Sequence, residues 1–106
     1  MALVRKAMSR RDSRAGERLA MRLTVTARLP AGKPVTIVIE NLSVSGFWAA
    51  IPLAVQRGTL LRIALPSGRS PHARVVRTGE GRVGCAFLAP LDAAEVRSLT
   101  EPASVF

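Results

Sequence analysis

One cysteine, one histidine, one tryptophan and no tyrosine occur among the 106 residues of this chain. A lone Cys85 rules out an intramolecular disulfide. With His72 as the sole imidazole, there is no Cys/His cluster of the kind that holds a metal ion. No apolar run approaches the ~20 residues that a membrane-spanning helix needs, and Met1 to Met21 lacks the apolar centre of a signal peptide. These absences predict a cytoplasmic, reduced protein without membrane insertion, metal or cofactor. Asn41-Leu42-Ser43 matches a glycosylation sequon, but without an export signal the match has no use. Acidic residues are scarce too: seven Asp and Glu face sixteen Lys and Arg, a formal net charge of +9.

Fourteen of the sixteen cations are arginines. Such a surplus predicts an anionic partner, and the arginine bias favours groups recognised by a planar fork over groups recognised by a point charge. Arg5, Lys6, Arg10, Arg11, Arg14, Arg18 and Arg22 are opposed only by Asp12 and Glu17 in the first 22 residues. Clustered charge and polar composition there predict a flexible basic arm over residues 1–18 that an anion would order.

From Leu19 the period is two. Leu19, Met21, Leu23, Val25, Ala27 and Leu29 share one face, and Arg22, Thr24, Thr26 and Arg28 the other, which predicts a half-buried strand. Pro30 to Pro34 breaks it, and Val35 to Leu42 returns antiparallel. Ser43 to Gly46 turns the chain into Phe47 to Ile51, and further strands are expected at Thr59 to Leu65, Ala73 to Arg77 and Arg82 to Leu88. Six short strands with tight connections predict a small antiparallel barrel or sandwich. Leu91-Asp92-Ala93-Ala94-Glu95-Val96 carries an N-cap Asp, a Glu three residues later and a hydrophobic staple, so a short C-terminal helix should follow, with Val96 and Leu99 on the barrel. Residues 19–106 thus form one domain behind the arm, which at this length needs most of its apolar residues for a single core.

Catalysis finds no machinery. Gly79-Glu80-Gly81-Arg82-Val83-Gly84 spells a dinucleotide fingerprint, but a strand follows where a long helix would be required, so a hairpin turn is expected, with Gly84 a site of close strand packing. Ser43 and Ser45 lack the flanking glycines of a nucleophile elbow, His72 sits in a Ser-Pro-His loop without a carboxylate near in sequence, and Cys85 falls on an apolar strand face. Binding is the expected activity.

Two patterns converge on an anionic ligand. Arg14-Ala15-Gly16-Glu17-Arg18 supplies two guanidinium forks just ahead of the first strand, and Asn41-Leu42-Ser43-Val44-Ser45-Gly46 sets short polar groups at a strand-to-strand corner. Arg-x-x-x-Arg followed by Asn-x-Ser-x-x-Gly resembles the paired signature of the PilZ domain, a family of bacterial receptors for cyclic di-GMP. Val83-Gly84-Cys85-Ala86-Phe87-Leu88 and the capped helix also resemble the last strand and closing helix of that family, so the likeness runs from about Arg10 to Leu99. The resemblance implies a six-stranded antiparallel β-barrel with a C-terminal helix, which agrees with the strand count. It also implies a cyclic di-GMP site at Arg14, Arg18, Asn41, Ser43 and Gly46.

Arg10/Arg14 and Arg18/Arg22 share the same spacing, but the family places its second arginine just before the first strand, which selects Arg14/Arg18. Arg10, Arg11, Ser45 and Trp48 are secondary candidates; Trp48 reads first as a packed barrel residue that lies near the corner. The arginines can fork onto phosphate or onto the O6/N7 edge of guanine, while Asn41 and Ser43 should face the second guanine edge and Gly46 should keep the corner free of a side chain. Asn41, where the family also uses Asp, offers one acceptor oxygen. Ordering of the arm over the ligand would present a new surface to a downstream protein partner.

Two other readings stand beside this one. A PilZ-like module could bind a protein partner without the dinucleotide. A small basic barrel could bind nucleic acid, although such barrels stack bases on aromatic side chains, and only Phe47, Phe87, Phe106 and Trp48 exist.

Overall fold

The computed structural model describes residues 18–100. Six strands and one helix succeed one another as β1 (Leu19–Arg28), β2 (Val35–Leu42), β3 (Gly46–Ala50), β4 (Leu60–Ala64), β5 (His72–Gly79), β6 (Arg82–Phe87) and α1 (Ala93–Thr100). The strands close into a barrel in the order β1-β2-β3-β6-β5-β4, and every neighbouring pair is antiparallel. Closure leaves no open sheet edge. The expected six-stranded barrel with a short C-terminal helix is the observed architecture. His72, expected in a loop, instead opens β5 opposite Arg62 of β4.

Alternation fills the interior. Val25 and Ala27, Ile37 and Ile39, Phe47 and Ala49, Leu61 and Ile63, Ala73 and Val75, and Val83, Cys85 and Phe87 all point inward and are buried. Phe47 and Phe87 meet in a tilted contact with ring centroids 5.5 Å apart. Leu91 and Val96, at the helix start, join this core, and Leu99 packs against it. The Glu95 carboxylate accepts hydrogen bonds from Arg69 (2.8 Å) and Ser67 (3.0 Å), which ties α1 to the β4–β5 connection.

The β5–β6 hairpin turns through Glu80 and Gly81, with Gly81 at a φ of 69°, a conformation that suits glycine. The fingerprint-like glycines are therefore a strand connection.

Two irregularities position the functional surface. Between β2 and β3 the pairing steps from Ile39–Ala49 to Asn41–Trp48, which leaves Glu40 as an extra residue. Between β5 and β6 it steps from Val75–Cys85 to Arg77–Gly84, which leaves Val76 extra. Each bulge inverts the alternation beyond it.

Candidate functional site

Ser43 is the hinge of the β2–β3 corner. Its backbone N–H donates to the Gly46 carbonyl at 2.9 Å, and its hydroxyl oxygen accepts the N–H groups of Ser45 and Gly46, each at 3.2 Å. The Ser45 hydroxyl lies 3.1 Å from it. Ser43 is buried and its oxygen is engaged within the turn, while Ser45 is exposed at the rim. A serine closing its own turn in this way is ordinary turn chemistry.

Gly46 has a packing role in the barrel itself. A Cβ there would collide with the Cys85 carbonyl oxygen and stand 3.2 Å from the Ala86 Cα. The missing side chain lets β3 lie close against β6, beyond any role in keeping the corner open.

Asn41 owes its orientation to the Glu40 bulge. Simple alternation after Ile37 and Ile39 would turn Asn41 into the core and Leu42 out. The extra residue instead buries Leu42 completely and sets Asn41 opposite Trp48 on the outer face. Glu40 is clamped by Arg82 through two hydrogen bonds of 2.7 and 3.0 Å. The Arg82 guanidinium, chiefly by hydrogen bonding, holds the Glu40 carboxyl below the usual carboxylate range. The Asn41 Oδ1 is buried and has no hydrogen-bond partner among the described residues. An acceptor in that condition is favourable to any donor that reaches it.

Trp48 is not a core residue. Phe47 and Ala49 take the interior positions of β3, so the indole stands on the outside and leans over β6. Gly84 makes room: a Cβ there would be 3.1 Å from the ring, and one at Gly79 would be 3.5 Å from its far edge. The Arg77 guanidinium lies over the indole, 5.3 Å from its centroid.

Arg18, exposed and immediately ahead of β1, lines one concavity with Ser43, Ser45, Gly46, Trp48, Arg77 and Gly84. Its volume is about 240 Å³. A larger, mostly apolar hollow of about 410 Å³ lies under residues 51–55; Arg82, already paired with Glu40, is its only charged lining residue. Of these two, the first gathers Arg18, which forms no ion pair with a described residue, with the corner hydroxyls.

Of the residues expected at the site, Arg18, Ser43, Ser45, Gly46 and Trp48 line this concavity, and Asn41 lies beside it across from Trp48. Arg10, Arg11 and Arg14 lie outside the described residues. Arg77 was missed, because its outward direction depends on the Val76 bulge. Cys85 is buried, and burial pushes its thiol up to about 12, which leaves no reactive thiolate here. Among the described residues no group of side chains is placed to hold a metal ion. No described helix is long and apolar enough to cross a membrane.

No family model and no curated protein matches the sequence. Among solved structures the barrel is similar to the PilZ domain of CeSA from a cellulose-synthesizing bacterium, with a TM-score of 0.54 and 25% identity over 77% of this chain and 88% of that one. The fold is PilZ-like. In this PilZ-like barrel the Asn-x-Ser-x-x-Gly corner and the residue preceding β1 come to one rim, although they are far apart in sequence.

Proposed function

We propose that this chain is a cyclic di-GMP receptor that holds the dinucleotide between its arginine-rich arm and the outer barrel surface and passes the signal to a protein partner in the bacterial cytoplasm. The observation that carries the reading is the concavity at the β2–β3 corner that the exposed Arg18 lines, with Asn41 and its buried, unpartnered Oδ1 beside it. At about 240 Å³ it falls below the ~300–1,000 Å³ of typical ligand pockets, as suits a half-site that a second element completes. In this reading Arg14 and Arg18 fork onto phosphate or the O6/N7 edge of guanine, and Asn41 accepts from the N1/N2 edge of the other base. Folding the arm onto the ligand costs ordering entropy, so the expected affinity is micromolar to submicromolar, roughly −8 kcal/mol or somewhat stronger.

Isothermal titration with cyclic di-GMP, with GTP and cyclic GMP as controls, tests the proposal. Selective binding supports it, and a folded sample that gives no heat refutes it. A generic oligonucleotide belongs in the same series, because binding driven by phosphate neutralisation collapses with salt.

One observation favours a second reading, a PilZ-like protein-interaction module without the dinucleotide. Ser43 and Gly46 both serve the fold, one closing the turn and the other admitting β6, so their presence does not require a ligand. A protein partner retained by a chain that gives no heat with cyclic di-GMP would establish that alternative.

A further inference from the structure

We infer that Arg77, held on the indole of Trp48, is a third guanidinium of the ligand site and reads a guanine base. The inference rests on the receptor reading above and adds a recognition element outside the two sequence motifs. Asn41, Trp48, Gly84 and Arg77 form one continuous row on the barrel exterior, paired from β2 to β3 to β6 to β5. Both ends of the row face outward because of a bulge: Glu40 turns Asn41 out, and Val76 turns Arg77 out. Bulges that re-aim a side chain are frequent beside binding sites.

Chemistry selects a base rather than a phosphate as the target. Stacking on an indole uses the flat face of the guanidinium and leaves its N–H donors free at the edge. Arg77 is exposed and forms no ion pair with a described residue; the two such pairs are Arg69–Glu95 and Arg82–Glu40. A planar fork fixed in orientation matches the paired O6 and N7 acceptors of guanine. At the other end of the row, the buried and unpaired Asn41 Oδ1 offers the acceptor that the opposite guanine edge, with its N1 and N2 donors, requires. Gly84, bare between Trp48 and Arg77, lets the indole lie low against β6 with the Arg77 guanidinium over it. Fixing the arginine in advance lowers the entropy lost on binding.

The test is titration of the full chain with cyclic di-GMP and with cyclic di-AMP, read by calorimetry and by Trp48 fluorescence. Adenine presents an amino donor where guanine has O6, so the parent should prefer cyclic di-GMP and its indole emission should change on saturation. Arg77→Ala should keep its melting temperature, lose roughly ten- to a hundredfold in cyclic di-GMP affinity, and narrow the preference over cyclic di-AMP. Arg77→Lys, which keeps the charge without the fork, should restore little of that preference. Arg77→Ala binding both dinucleotides as the parent does would overturn the inference and leave the receptor reading intact. A parent that binds neither overturns both.

Discussion

Replacing Gly46 by alanine adds one methyl group where β3 meets β6. The new Cβ would run into the Cys85 carbonyl oxygen and crowd the Ala86 Cα at 3.2 Å. Both obstacles are backbone, so no side-chain rotation relieves the contact, and the strands must part at the Gly46–Ala86 pair. Parting there also strains the adjacent Phe47–Cys85 pair and the buried Phe47–Phe87 contact. Overpacking costs about 1–3 kcal/mol where neighbours can adjust, and a rigid obstacle puts this site at or above the upper end. Alanine restricts the unfolded chain, which offsets about 0.4–1 kcal/mol. The net expectation is a loss of about 2–3 kcal/mol, or roughly 8–24 °C in Tm at ~4–8 °C per kcal/mol for a domain of this size. Urea unfolding followed by Trp48 fluorescence, with thermal melts by circular dichroism, measures it. A Gly46→Ala protein within about 0.5 kcal/mol of the parent, the range of an ordinary surface change, would refute the packing argument and return Gly46 to the ligand.

Arg14→Ala and Arg18→Ala should each weaken cyclic di-GMP binding by about 1.5–3 kcal/mol, or roughly ten- to more than a hundredfold, with unchanged melting; a loss in Arg14→Ala with unchanged affinity in Arg18→Ala would move the arginine pair to Arg10 and Arg14. Cys85, with its thiol pushed up to about 12 by burial, should resist alkylation in the native protein and react promptly in denaturant; rapid native labelling would contradict the closed core. Glu40 ionises more readily in the folded chain than its ordinary value of 4.5, so its ion pair stabilises at neutral pH and that contribution fades as pH falls through the lowered folded value. Glu40→Gln should therefore melt below the parent near neutrality and converge with it in acid, and a gap that widens in acid would contradict the pairing.

Much of the barrel is legible in the sequence because each strand states its own period. Leu19 to Leu29 alternates without interruption, and Val35 to Leu42 is bounded by a proline turn and a polar corner; both strands begin where the pattern does. Other expected bounds differ from the observed ones by a residue or two, since pairing with a neighbour decides where β3, β4 and β5 end. Trp48 packs on the outer face of the barrel. Its parity with Phe47 and Ala49 already sends it outward, and the cover it finds comes from two glycines on other strands, at Gly79 and Gly84. The bulges at Glu40 and Val76 leave no local trace. An extra residue is defined only against the partner strand, and for Glu40 it is stabilised by Arg82, far along the chain. Arg77 could therefore not be found from alternation.

The corner motif divides into residues that the barrel needs and residues that it does not. Ser43 and Gly46 would be selected in a PilZ-like barrel that had lost every ligand, because one satisfies two backbone N–H groups and the other admits a neighbouring backbone. Asn41 is the opposite case. Its side chain forms no hydrogen bond with a described residue, its Oδ1 is buried, and the Glu40 bulge turns it outward. Arg18 is likewise exposed, with no hydrogen bond or ion pair to the described residues, and among those residues Arg77 is engaged with Trp48. A buried unpaired acceptor costs about 1–3 kcal/mol, which a fold without a use for it would shed by a single substitution. The case for a ligand therefore rests on Asn41, Arg18 and Arg77, and mutants at these positions separate receptor from scaffold in a way that Ser43 and Gly46 variants do not.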